Sequence, residues 1–203
     1  MTPPGVARGR ELPRKTLHLT TASIPLALWL GVPQRVVALL LLAMFGVAVI
    51  VELARRRSVI VATHFDSTVG VMLRPHEAAN GVTGATWLLA TFAITCLAAP
   101  LAAAIAATWA GAVGDASAAV VGTVGRRARG ATGKTATGKT AAGSGACALA
   151  STLGAWWLGG FSLPLAAVLG LVAAIVERPA MSLDDNVRVT AATALVAVLL
   201  LRF

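Results

Sequence analysis

The chain has 203 residues, of which 57% are hydrophobic and 12% are charged. A soluble domain carries about 25% charged residues, so the composition argues against a soluble protein and favours one integral membrane domain over 1–203. The formal net charge is +9. In a membrane protein, Lys and Arg collect in cytoplasmic loops, so nucleic acid is not predicted as a partner. The two cysteines lie in separate apolar runs and predict neither a disulfide framework nor a zinc site.

Apolar runs divide the chain into about seven candidate spans, because about 20 apolar residues cross a bilayer as a helix. We predict an all-α transmembrane bundle with spans at 17–32, 35–54, 81–98, 101–121, 144–160, 162–177 and 187–203. The segments 1–16, 55–80, 122–143 and 178–186 then share one side and hold nearly all the Lys and Arg. The positive-inside rule places these segments and the N-terminus in the cytoplasm. We expect the protein to lie in the inner membrane of a prokaryote.

Acidic residues follow the basic ones to this face, which the positive-inside rule does not require. They are Glu11, Glu52, Asp66, Glu77, Asp115, Glu177, Asp184 and Asp185. Converging acids, bases and glycines indicate a site there, although short outer loops also leave charges few other places. Lys15 and His18 stand at the start of the first span, and Arg74 precedes the third; alone, these residues define no site.

Asp115 lies well inside the fourth predicted span. A carboxylate at that depth is costly in lipid, and intramembrane acids are functional candidates by default. The alternative is an aspartate that reaches the surface or pairs with a nearby arginine. Ala118 and Gly122 follow at helical spacing, and such a face of small residues would let another helix or a substrate approach closely.

The glycine-rich basic loop 122–143 follows this span. Within it, Gly133 to Thr140 reads GKTATGKT and matches the P-loop pattern. A P-loop joins a buried strand to a helix in an α/β domain, whereas this loop follows an apolar helix, so we reject that fold. The chemistry is retained, because Lys134 and Lys139 in a glycine-rich loop can bind phosphates.

The LDDN segment, Leu183 to Asn186, precedes the last span. Asp184, Asp185 and Asn186 can bind Mg²⁺ or a nucleotide. The same residues suit a helix N-terminus equally well, where they would cap the backbone and meet the positive end of the helix dipole. The sequence leaves both interpretations open.

Five pieces, in order along almost the whole chain, resemble the polyprenol kinase family, which includes dolichol kinase, phytol kinase and CTP-dependent diacylglycerol kinase. They are RKTLH at Arg14–His18, RPHEAANGVTGATW at Arg74–Trp87, GDASAAVVG at Gly114–Gly122, GKTAAGS at Gly138–Ser144 and ERPAMSLDDN at Glu177–Asn186. The chain departs from the family at Ala142, where an acidic residue is usual.

The resemblance implies a membrane lipid kinase that moves the γ-phosphoryl group of a nucleotide, usually CTP, to the hydroxyl of a polyprenol, phytol or diacylglycerol. It implies Asp115 and Lys139 as catalytic residues, and Mg²⁺ as a cofactor held by Asp115, Asp184 and Asp185. Asp115 would bind this metal or accept the hydroxyl proton. The implied phosphate- and nucleotide-binding residues are Arg74, Gly122, Lys134, Gly138, Thr140, Gly143 and Ser144. The implied supporting residues are Lys15, His18, Glu77, Glu177 and Asn186.

Two other functions remain open. A phosphatidate cytidylyltransferase-like enzyme would also use CTP at a membrane but would release pyrophosphate, and the chain lacks that class's basic, aspartate-rich C-terminal signature. A non-enzymatic transporter or scaffold would bind anionic lipid through the loop, without nucleotide or metal.

Overall fold

The structure, a computed structural model, describes residues 18–73, 75–78, 81–128, 139–179 and 183–202. Within these ranges the chain is helical and contains no strand, which confirms the predicted all-α class. We number the helices in chain order. They are α1 (Ser23–Trp29), α2 (Gln34–Arg57), α3 (Val59–Val69), α4 (Pro75–Ala78), α5 (Gly84–Ala98), α6 (Leu101–Trp109), α7 (Asp115–Ala128), α8 (Ala141–Trp157), α9 (Leu163–Glu177) and α10 (Asp185–Leu200). A π-helical turn, Ala110–Gly114, joins α6 to α7.

Two helical stretches are long and apolar enough to cross a membrane: Gln34–Arg57 and Leu101–Val124, of 24 residues each. The apolar helices α5 and α9 are shorter, at 15 residues each. The arrangement of about seven spans therefore stays a prediction. The first predicted span, 17–32, differs most from its helix, because a turn at Thr21 and Ala22 leaves only the seven residues of α1 before the chain turns again.

The α6–α7 stretch and α8 form a closely packed antiparallel pair. Gly154 of α8 lies against the Trp109 ring, whose N–H donates to a carbonyl of α8 at 3.0 Å. Further along, Gly143 lies against the carbonyl of Ala118. Because small residues let two backbones approach closely, these contacts fix the register that sets Asp115 beside α8.

Contacts between helix termini show which ends lie together. Gln34, at the start of α2, donates to the carbonyls of Cys96 and Ala99 near the end of α5, at 2.8 Å each. The end of α2 therefore meets the start of α5. Asn186, at the start of α10, donates to the carbonyl of Gly84 at the start of α5, at 3.0 Å. We call this end of the bundle, where α2 ends and α5 and α10 begin, the polar end.

Small and aliphatic side chains fill the interior between the two ends. Many of them are alanines with no exposed surface, including Ala103, Ala106, Ala166 and Ala197. Large apolar side chains instead cover much of the outside of the helices, such as Leu39 and Ile50 of α2. That distribution suits a bundle whose surroundings are themselves apolar.

Candidate active site

Lys139 lies just before α8 and contacts two acids from another predicted motif, Glu177–Asn186. Its ammonium nitrogen is 2.7 Å from Glu177 Oε1 and 3.7 Å from Asp185 Oδ2, and it also donates to the Glu177 carbonyl. Glu177 is the buried last residue of α9, and Asp185 is the first residue of α10. The structure therefore brings Lys139 together with two acids of the piece Glu177–Asn186, which lies far from it in the sequence.

Arg188, one turn into α10, adds a second cation to this cluster. Its guanidinium donates to Asp185 Oδ1 at 3.3 Å, and to the carbonyls of Val176 and Leu183 at 2.8 and 3.0 Å. Arg188 is buried and links the end of α9, and Leu183, to α10. Sequence reasoning missed Arg188, although its spacing of three residues from Asp185 is the spacing of a helical ion pair.

Gly84, the first residue of α5, brings Glu77 next to the LDDN segment. Its N–H donates to Glu77 Oε1 at 2.9 Å, and its carbonyl accepts from Asn186. A Cβ at Gly84 would lie 3.4 Å from Glu77 Oε1 and 3.5 Å from Asp184 Oδ2, so both carboxylates flank this glycine. Asp184 also caps α10, because its Oδ1 accepts from the Asn186 N–H at 3.0 Å. The capping interpretation is therefore confirmed for Asp184.

A buried ion pair at the end of α2 was not predicted as part of the site. Arg55 Nε donates to Glu52 Oε2 at 2.7 Å, and both side chains are buried. The Arg55 guanidinium also donates to the carbonyls of Glu77 and Gly81, while Glu52 Oε1 accepts from the Thr83 N–H at 2.9 Å. The pair thereby holds both ends of the connection that leads from Glu77 into α5.

Asp115 begins α7 directly after the π-helical turn and is only 3% exposed. His18 lies beside it, with Nε2 3.8 Å from Asp115 Oδ2 and 2.8 Å from the Gly111 carbonyl oxygen. Because a carbonyl only accepts, the bonded ring nitrogen carries a proton, and the backbone of the π-helical turn orients the imidazole. Such turns occur frequently at functional sites.

Helix α10 connects Asp115 to the other acids. Gly111 packs against Thr190 of α10, where a Cβ on the glycine would lie 2.2 Å from the Thr190 hydroxyl oxygen. The α6–α7 stretch runs toward the polar end and α10 runs away from it. Asp115 lies four residues after Gly111, and Asn186 lies four residues before Thr190. Both are therefore displaced from that contact toward the polar end by about the same distance, and they lie at a similar level in the bundle.

The described loop residues have structural contacts of their own. Thr140 caps α8, because its hydroxyl oxygen accepts from the Gly143 N–H at 3.0 Å. A Cβ on Gly143 would lie 2.7 Å from the Ala118 carbonyl oxygen, so the approach of α7 to α8 requires glycine here. Gly122 is buried on α7. The Ser144 hydroxyl is buried and has no hydrogen-bond partner among the described residues. Binding of phosphate by Gly122, Thr140, Gly143 and Ser144 stays a prediction.

Four predicted site residues lie outside the described ranges: Lys15, Arg74, Lys134 and Gly138. Within the described ranges, no group of three or more His, Cys, Asp and Glu side chains is placed to hold a metal ion. Asp115, Asp184 and Asp185 therefore do not form a three-carboxylate centre. Magnesium is commonly held by one or two carboxylates together with substrate phosphates, so the acids of the polar end still fit that ion.

Comparison with models of protein families, with curated proteins and with solved structures found no match to this chain. A functional assignment therefore depends on the residues of the polar end. Among the described residues, that end combines buried acids, two buried arginines and Lys139 at one end of an apolar bundle.

Proposed function

We propose that this chain is an integral membrane lipid kinase that transfers the γ-phosphoryl group of CTP to the hydroxyl of a lipid alcohol. In this proposal the chain crosses the inner membrane of a prokaryote about seven times, and its polar end faces the cytoplasm. The supporting observation is Asp115, a carboxylate that is 3% exposed at the polar end of an apolar bundle. An acid in such surroundings is costly in free energy, so its presence there is best explained by a function.

A lipid alcohol suits this arrangement because its apolar body and its hydroxyl need different surroundings. The body would stay in lipid beside the apolar outer surfaces of the helices, on which Leu171 and Ile175 of α9 are exposed. The hydroxyl would reach the polar end between helices and meet Asp115 there. An acid buried below the cytoplasmic surface is explained by an acceptor group that does not leave the membrane.

In the proposed transfer, the alcohol oxygen forms a bond to the γ-phosphorus, and the bond from that phosphorus to the β–γ bridging oxygen breaks. CDP leaves, and the hydroxyl proton passes to Asp115. We assign this role to Asp115 because the imidazole of His18 lies beside it and is held in place by the Gly111 carbonyl. Lys139 would share its three N–H donors between Glu177 and the triphosphate. Phosphoryl transfer depends mainly on such positioning and charge neutralisation.

Mg²⁺ would supply charge neutralisation at the phosphate oxygens when bound. Asp184 and Glu77 are the residues that we expect to hold it, because oxygen atoms of both flank Gly84. Asp185 already pairs with Lys139 and Arg188. Those two cations make Asp185 a poorer ligand than the sequence predicted.

CTP labelled at either the γ- or the α-phosphate, supplied with a panel of lipid alcohols, tests the proposal directly. We expect γ-label and no α-label to enter the lipid fraction, and chelation of Mg²⁺ to stop the transfer. Asp115→Asn and Lys139→Ala should each abolish transfer in chains that remain folded. Asp66→Asn is the matched control, because Asp66 is an exposed acid on α3.

Each alternative result has its own meaning in that assay. Entry of α-label into lipid would indicate cytidylyl transfer, with release of pyrophosphate. No label in lipid with any alcohol would reject a CTP-dependent kinase. Full activity of the Asp115→Asn chain would reject the role of Asp115 even if the wild-type chain transferred the label.

A further inference from the structure

The polar end carries an exposed apolar pair that the proposed reaction does not use. Val59 and Ile60, in the first turn of α3, are 83% and 82% exposed, the highest values among large apolar side chains of the described ranges. Other exposed apolar residues, such as Ile50 and Ile175, lie on predicted spans, where lipid would cover them. Val59 and Ile60 instead follow the charged end of α2 after one residue, Ser58.

Helix α3 packs little against the bundle. None of its 11 residues is buried. Its main contacts are with α2 before it and with the short helical turn Gly70–Met72 after it. One of its contacts with α2 is between Phe65 and Arg55, whose guanidinium carbon lies 5.0 Å from the centroid of the Phe65 ring. A separate helix of this length is marginal in water, so a further contact is expected to stabilise it.

Two cations lie beside the apolar pair. Arg56 and Arg57 are exposed, and neither forms an ion pair with any residue that the structure describes, in contrast to Arg55. They end α2, one of the two stretches long enough to cross a membrane. The cations and the apolar pair are therefore placed where the acyl chains of a bilayer would meet its headgroups.

We infer that the first turn of α3 is an interfacial anchor for an anionic membrane surface. Val59 and Ile60 insert at the boundary between headgroups and acyl chains, and Arg56 and Arg57 bind the phosphates of anionic phospholipids. The rest of α3, which exposes His64, Asp66 and other polar residues, rises into water. The inference rests on the proposed membrane topology and not on the kinase activity.

Fluorescence from labelled single positions tests the anchor. Ile60→Cys and Ser67→Cys are each labelled with an environment-sensitive fluorophore in full-length chains carrying Asp115→Asn, so that catalysis plays no part. Ser67 is a matched control, because it is exposed and lies seven residues further along nearly the same side of α3. The natural cysteines, Cys96 and Cys147, are buried and leave little background labelling.

The labelled chains are reconstituted in phosphatidylcholine vesicles, with and without phosphatidylglycerol. We expect acrylamide, a neutral water-soluble quencher that an anionic surface does not repel, to quench the label at position 60 several-fold less than the label at position 67, and phosphatidylglycerol to increase this protection. Changing Arg56 and Arg57 together to glutamine should remove the effect of phosphatidylglycerol. Equal quenching at the two positions would overturn the anchor.

Two further results would also contradict the inference. Protection at position 60 that does not depend on phosphatidylglycerol would overturn binding of anionic headgroups. Protection that persists in detergent, together with crosslinking between copies at position 60, would identify a second copy of the chain as the occupant instead of lipid. Failure of the kinase proposal would change none of these readings, because the labelled chains are inactive by design.

Discussion

Removal of Arg55 is expected to destabilise the fold strongly. The Arg55→Ala change takes away a partner 2.7 Å from Glu52 and the donors to the Glu77 and Gly81 carbonyls. It leaves Glu52, itself 6% exposed, as a buried carboxylate without its cation. Removing one partner of a buried pair costs about 3–5 kcal/mol, whereas an exposed side chain changes stability by about 0.5 kcal/mol or less.

Arg57→Ala is the matched control, because Arg57 is exposed in the same helical turn. Both variants can be measured by thermal unfolding with a dye that reacts with thiols, since Cys96 and Cys147 are buried and react only after unfolding. At about 2–4 °C per kcal/mol, Arg55→Ala should lower the midpoint by roughly 10 °C and Arg57→Ala by little. A double variant with Glu52→Ala should lose less than the sum of the two single changes. Equal midpoints for Arg55→Ala and Arg57→Ala, or strict additivity, would refute the buried pair.

Two further predictions concern α8 and use the same thermal assay. Gly154→Ala should cost about 2–3 kcal/mol through overpacking, because its Cβ would lie 2.0 Å from Trp109 Cδ1. Gly145→Ala, in the same helix with nothing within 4 Å, should stabilise by about 0.5–1 kcal/mol, and equal effects at the two glycines would contradict the packing. Thr140→Ala should cost about 1 kcal/mol by removing the cap on the Gly143 N–H. Thr140→Ser should keep most of that stability, and equal losses in the two variants would show that the hydroxyl does not cap α8.

Helix positions were predictable wherever long apolar runs end at turn-forming residues. The predicted spans 35–54 and 162–177 correspond closely to α2 (Gln34–Arg57) and α9 (Leu163–Glu177). Helix α3 was missed, because its 11 residues are too few to stand out within the segment 55–80. Ser58 separates α3 from α2 because its backbone is extended, and the composition of this segment does not predict that break.

Rotation about a helix axis explains most of what the sequence could not predict at the site. Arg55, Arg56 and Arg57 are consecutive identical residues, yet only Arg55 is buried. The difference depends on which side of α2 faces α5, and on Glu52 lying three residues earlier on that side. The contact between His18 and Asp115 likewise depends on how the segment before α1 packs against the π-helical turn, and no local sequence pattern predicts that packing.

The first turn of α10 confirms the capping interpretation of the LDDN segment and is compatible with the other, binding of Mg²⁺ or a nucleotide, which stays a prediction. Asp184 caps the start of the helix with Oδ1, while its Oδ2 lies near Gly84. One carboxylate therefore both caps the helix and lies within the candidate site. The N–H groups and the dipole at the start of α10 favour negative charge, so two neighbouring carboxylates suit this position. Asp185 then meets Lys139, and Asn186 joins the start of α5. Helix capping therefore positions Asp184 at the polar end, and a substitution that removed this cap would alter the candidate site at the same time.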